Sequence, residues 1–166
     1  MTSEDPDARV LLRSYAVTHP PGLDVPSRAH ADWDQLAYAA RGVMEVDTGA
    51  GRWIVPPQRA VWIPAGVVHA LRMNGPVAVR SIFFHRHPRP PVDLPCPGPA
   101  CRALAVPRLL RELLLEVCRR GVLYADDPAA VRLAGVLLDQ VVVLPDAALV
   151  LPLPTEARAA ALARRL

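Results

Sequence analysis

From residue 9 to residue 84 the apolar positions come in short runs: VLLRSYAV (10–17), QLAYAA (35–40), VMEVDT (43–48), RWIV (52–55), AVWIP (60–64), VVHALRM (67–73) and VAVRSIFF (77–84). Turn residues separate them: Pro20-Pro21-Gly22, Gly42, Gly49 and Gly51, Pro56-Pro57, Pro64-Ala65-Gly66 and Asn74-Gly75-Pro76. Many short strands at this spacing predict a sandwich or barrel. Pro64 and Gly66, between two runs, mark a forced tight turn.

Residues 86–100, RHPRPPVDLPCPGPA, hold six prolines and a glycine. That density excludes a helix or a central strand, so the segment reads as a linker. From 101 onward the pattern turns helical. Leu109, Leu110, Leu113, Leu114 and Val117 recur at three and four, an amphipathic stripe closed by Gly121 as C-cap. Asp126-Asp127-Pro128 predicts the start of a second helix over 128–143. Val131, Leu133, Val136, Leu137, Leu138, Val141 and Val142 make that helix apolar on more than one face, so it needs cover from several sides. PTEARAAALARRL predicts a third helix, with Thr155 as N-cap. The expected fold class is mainly β with C-terminal helices, an α+β chain. Its expected parts are a disordered tail over 1–8, a β-barrel over 9–92 and a helical dimerisation and linker region over 93–166.

Composition narrows the class. The 166 residues fit one domain, and 52% hydrophobic with 21% charged residues excludes a disordered chain. No apolar run approaches the ~18–20 residues of a membrane helix. MTSEDPDAR is too polar and acidic for a signal peptide, and three cysteines argue against a disulfide framework, so a cytoplasmic protein is expected. The net charge of +3 rests on scattered arginines, with no lysine in the chain. That is a weak footprint for direct DNA binding.

The histidines carry the candidate chemistry. His30 precedes one run and His69 lies three residues after Gly66. The spacing resembles the two cupin motifs. Gly22, Arg28-x-His30, Gln35 and Gly42 follow the first, and Pro64-Ala65-Gly66 with His69 follows the end of the second. Arg28 stands where the motif has its first histidine, and Gln35 where it has its glutamate. More widely, WDQLAYAARGVM (33–44) and GRWIVPPQRAVWIPAGVVH (51–69) resemble the N-terminal domain of AraC-type transcriptional regulators, over roughly residues 8–160. Leu151-Pro152-Leu153-Pro154 resembles the linker before their DNA-binding part.

The resemblance implies a cupin-type jelly-roll barrel followed by two or three helices. It implies a small-molecule-sensing and dimerisation domain, not an enzyme, with a homodimer interface on the 101–143 helices. Nothing in the chain reads as helix-turn-helix, so DNA would be reached only through a part this sequence does not contain. The rival is a small metal-dependent cupin enzyme of dioxygenase or isomerase type.

At the site three readings compete. His30, Gln35 and His69 could hold a divalent metal, although Gln35 offers a neutral oxygen and Arg28 cannot be a ligand. Arg28, His30, Gln35 and His69 could instead bind a small polar effector without metal, with Trp33 or Trp62 stacking on it. Or both histidines are satisfied core residues. His85-x-His87 with Cys96 and Cys101 has zinc-binding residue types at no finger spacing and reads as linker. Cys118 reads as a small buried hydrophobe.

Overall fold

The computed structural model describes residues 7–49, 51–147 and 150–151. The chain runs β1 (Val10–His19), β2 (Asp24–Arg28), β3 (Trp33–Arg41), β4 (Met44–Thr48), β5 (Gly51–Val55), β6 (Arg59–Ile63), β7 (His69–Met73), β8 (Val77–His85), β9 (Arg102–Ala105), α1 (Arg108–Arg120), β10 (Val122–Tyr124), α2 (Pro128–Val143) and β11 (Val150–Leu151). The result is a mixed α+β fold with antiparallel sheets and two helices toward the C-terminus. The third helix expected from Thr155, and most of the expected 1–8 tail, lie outside the described residues.

The strands form two sheets, ordered β10-β1-β8-β3-β6-β9 and β11-β5-β4-β7-β2. Alternation explains their facing. In β4, β5 and β7 burial alternates residue by residue, because one face packs inward and the other is solvated. β3 is buried at seven consecutive positions, Trp33 to Ala39, because both of its faces are covered. Ala37, Ala39, Val61 and Val79 meet Met44, Val46, Val55 and Leu71 of the other sheet in one core. Leu36, Tyr38, Trp62 and Ile82 point the other way, into a second core completed by α1 and α2.

The helices seal that outer face. α1 buries Leu110, Leu114 and Val117, and α2 buries Ala130, Ala134, Leu137, Leu138 and Val141. Fully burying one such leucine contributes about 1.5–3 kcal/mol. Asp127 caps α2 by accepting the Ala129 N–H at 2.8 Å, with Pro128 in the first turn. Gly121 ends α1 at φ 81°, and its carbonyl accepts the Ser14 N–H of β1 at 2.7 Å.

Three expectations need correction. No closed barrel forms among the described residues; the two sheets face each other and stay open at their edges. β2, which carries one open edge, is short and mostly exposed, and Pro26 removes a ladder donor from it. Sequence periodicity misses β2 because DVPSR has too few apolar positions. Nor is the chain purely helical from 101 onward. Arg102–Ala105 pairs with β6, and Val122–Tyr124 pairs with β1, so this half adds two strands to the six-stranded sheet.

Candidate functional site

Between β1 of one sheet and β2 and β7 of the other lies a cavity of about 400 Å³. β1 brings Arg13, Tyr15, Val17 and His19 to it, since alternate residues of a strand share a face. Their partners in register, Phe83, Ser81 and Val79 of β8, line the same side. Val25, Arg28, His30 and Leu71 come from the facing side.

The Pro64-Ala65-Gly66 turn is stitched to the segment that carries His30. The Gly66 N–H donates to the His30 carbonyl at 2.8 Å, and the Ala65 N–H donates to Asp34 Oδ1 at 2.8 Å. Arg86 also donates to Asp34, at 3.0 and 2.8 Å from Nε and Nη2. Gly66 takes φ 82°, a conformation other residues rarely adopt. Gly42 is likewise required: at φ 78°, a Cβ there would sit 2.3 Å from the Pro76 carbonyl oxygen.

This stitching brings His30 and His69 together, with ring centroids 5.7 Å apart. His30 also meets the Phe83 ring edge-on at 4.8 Å. His69 is 2% exposed, and its Nδ1 lies 2.9 Å from the Val67 carbonyl. That contact fixes the neutral tautomer with the proton on Nδ1 and leaves Nε2 as a bare acceptor. Gln35, 1% exposed, donates to Ser81 Oγ at 3.1 Å. Gln35 Oε1, His30 Nε2 and His69 Nε2 are all buried without a hydrogen-bond partner. Orphaned buried polar atoms cost about 1–3 kcal/mol each, so three at one place call for an explanation.

The electrostatics favour neutral imidazoles. Burial, then the Arg28 guanidinium, then His69 and Arg13 hold His30 below its usual value of 6.5. Burial lowers His69 as well; its bond to Val67 opposes this, and Arg28 reinforces it. Neutral imidazoles are what a metal needs, but the remaining donors fit one poorly. The third orphan is a neutral amide oxygen, Arg28 adds a positive charge beside the pair, and among the described residues no group of three or more His, Cys, Asp or Glu gathers. The set suits hydrogen bonding to a small molecule better than a tightly held divalent ion.

The other singled-out residues are placed differently. Trp33 is buried beside Val10 and Phe83, with the Arg13 guanidinium 4.2 Å above its ring. Trp62 lies on the helix-facing side of the sheet, where its Nε1 donates to the Gly98 carbonyl at 3.3 Å, so it is separated from the histidine pair. His85, His87 and Cys96 border a hollow of about 230 Å³ near Trp62, whereas Cys101 borders another, beside Trp53. Cys118 is partly buried against the helix-side core, and all three cysteines are free thiols. Arg13, Tyr15, Ser81 and Phe83 of the cavity wall escape sequence reasoning. Their shared face emerges only from the pairing of β1 with β8, although the alternation of Arg13, Tyr15, Val17 and His19 was the available signal.

No protein-family model matches the chain. Over 118 residues it is 32% identical to the HTH-type transcriptional regulator NimR of Escherichia coli (strain K12), a match covering 71% of this chain and 41% of that protein. The chain thus spans about two fifths of the length of this curated relative. Among solved structures, KdgF from a Halomonas species overlays at 22% identity with a TM-score of 0.42, covering 45% of this chain and 69% of that one. A cupin superfamily protein from Desulfitobacterium hafniense overlays at 16% identity with a TM-score of 0.40, covering 45% and 77%. Likenesses this weak decide nothing about the chemistry of this chain. The curated relative is a distant homologue from a family of helix-turn-helix regulators.

Proposed function

We propose that this chain is the small-molecule-sensing and dimerisation domain of an AraC-type bacterial transcriptional regulator. In this reading residues 9–92 are the cupin-type, ligand-holding part and 93–166 the helical dimerisation and linker region. The observation that carries the reading is the cavity between the sheets, lined by Arg28, Ser81 and His30, whose buried Nε2 has no hydrogen-bond partner and whose ring lies 5.7 Å from that of the buried His69. The distant likeness to a regulator supports it. A ligand that binds one arrangement of sandwich and helices better than another shifts what the helices present. DNA would be contacted only through a helix-turn-helix part outside this sequence, and the protein would work in the cytoplasm.

The dimer would form on the helices. Leu109, Val136, Val142 and Val143 remain exposed on α1 and α2 after the sheet has been covered. Val136→Arg on the outer side of α2 is then expected to give a soluble monomer in sedimentation equilibrium, while the unmodified chain is a dimer.

Thermal-shift screening of a metabolite panel against the chain and His30→Ala tests the sensing role. A true ligand at 100 times its Kd stabilises by about 2.7 kcal/mol, and the variant should lose that gain. Turnover of a stabilising compound, with a stoichiometric metal retained through dialysis, would replace this reading with the enzyme one.

A further inference from the structure

The charge pattern of the cavity wall is lopsided. Arg13 and Arg28 both line it, together with Tyr15, His19 and His30, and among the described residues no Asp or Glu does. Arg13 is partly engaged, with Nη1 3.2 Å from Asp7 and its guanidinium over Trp33, but its buried Nε has no hydrogen-bond partner. Arg28 is exposed at the end of β2 and forms no ion pair among the described residues. Two guanidinium groups facing one concavity without a carboxylate are the arrangement that recognises an anion. Apart from Ser81, the rest of the wall is apolar: Val17, Val25, Leu71, Val79 and Phe83. A volume of about 400 Å³ lies near the low end of known ligand pockets and limits the guest to a compact molecule.

We infer that this cavity binds a small organic carboxylate with a compact apolar body, its charge held by Arg28 and Arg13 and its body lying against Val25, Leu71, Val79 and Phe83. The inference rests on the proposed sensing role and adds to it the chemical class of the ligand.

Proton uptake follows from the same geometry. His30 lines the cavity with a buried Nε2 that has no hydrogen-bond partner, and its imidazole meets an anion favourably when protonated. Arg28 disfavours the charged form of both imidazoles, and an anion on Arg28 offsets that field. Among the described residues the other titratable groups that line the cavity with His30 are Arg13, Arg28, Tyr15 and His19, and the Asp7 carboxylate pairs with Arg13. Carboxylate binding therefore takes up protons and tightens as pH falls below neutral, while an uncharged amide does neither.

Matched probes test this: benzoate against benzamide, and cyclohexanecarboxylate against cyclohexanecarboxamide. Binding is followed by calorimetry in two buffers of different ionisation enthalpy and by the imidazole ¹⁵N signals of His30 and His69. The carboxylates are expected to bind at least about tenfold tighter than the amides, with proton uptake. Arg28→Gln, a change at an exposed position, should cut that preference severalfold, chiefly by weakening the carboxylates. If the amides bind as well as the acids, or Arg28→Gln keeps the preference, the carboxylate inference falls and the sensing pocket stands. If no probe shifts either imidazole signal, the carboxylate inference falls, and the metabolite screen with His30→Ala decides the sensing role separately.

Discussion

The two faces of the six-stranded sheet are built from the same strands and serve opposite ends. On the helix side Leu36, Tyr38, Trp62, Ile82 and Phe84 are all less than 5% exposed, and the Trp62 Nε1 has its acceptor. On the side facing the second sheet, Ala37, Ala39, Val61 and Val79 continue the dry packing, but one step along the strands stand Gln35, Ser81 and, across the gap, His69. There the interior holds polar atoms without partners beside an open cavity. Because side chains alternate, β3 and β8 can spend one set of positions on stability and the other on a site. A substitution at either set should therefore leave the other property largely intact.

Leu114→Ala offers the largest break. Leu114 is fully buried between α1 and the sheet, so its truncation should cost about 2–5 kcal/mol in urea or guanidinium unfolding. Affinity for whatever the cavity binds should stay within a factor of two or so of the unmodified chain, since sites with no shared partners are close to additive. A large affinity loss would mean that the helix side and the cavity are one cooperative unit.

Asp34→Ala probes the seam between the faces. Asp34 sits on the helix side of β3, yet it holds the Ala65 N–H and thereby the turn that positions His69. Loss of this acceptor should cost about 1–3 kcal/mol and also broaden the His30 and His69 imidazole signals. Asp34→Asn keeps an oxygen for Ala65 and should recover the imidazole signals more than the stability, since the charged partner of Arg86 stays lost.

Most of the sandwich was legible in the sequence, because β1 and β3 to β8 alternate or run apolar between Pro and Gly turns. β2, β9 and β10 were not. They are three to five residues long and owe their conformation to the neighbours they pair with, β7, β6 and β1. The openness of the sheets was likewise invisible, since strand spacing is the same in a closed barrel. At the site, the motif spacing anticipates that His30 and His69 lie close, because the turn that relates them is local chemistry. Arg13 and Ser81, 68 residues apart, share a wall only through sheet register. Trp62 lies apart from the histidines because it faces the helices with its even-numbered neighbours Leu36 and Tyr38, a facing that only sheet register reveals.

A pH titration sharpens the comparison further. The usual imidazole value is 6.5, and both His30 and His69 lie below it in the folded chain. In the unfolded chain they take up protons first as pH falls, so the unfolded state binds more protons and is favoured. Their contribution to stability is therefore fully present above pH 6.5 and is lost as pH drops through 6.5 toward the folded values. Unfolding free energy should decline across this window. The double variant His30→Gln, His69→Gln should flatten the decline, while Leu114→Ala should lower the whole curve without changing its slope.

Gln35→Met is the smallest change and the closest test of what the interior face is for. The side chains are similar in length, so no large cavity opens. The variant removes the orphaned Oε1, which favours the fold, and it takes from Ser81 the donor it now receives at 3.1 Å, which opposes it. Ser81 Oγ lies at the wall of the cavity, where water or a ligand can replace that donor. The two terms nearly cancel, and net stability should change by less than about 1 kcal/mol in either direction. Ligand affinity, by contrast, should fall, because Ser81 at the cavity wall loses the donor that orients its hydroxyl. A variant distinctly less stable than this would show that Gln35 is a structural hydrogen bonder, and that the polar end of the interior exists for the fold and not for a guest.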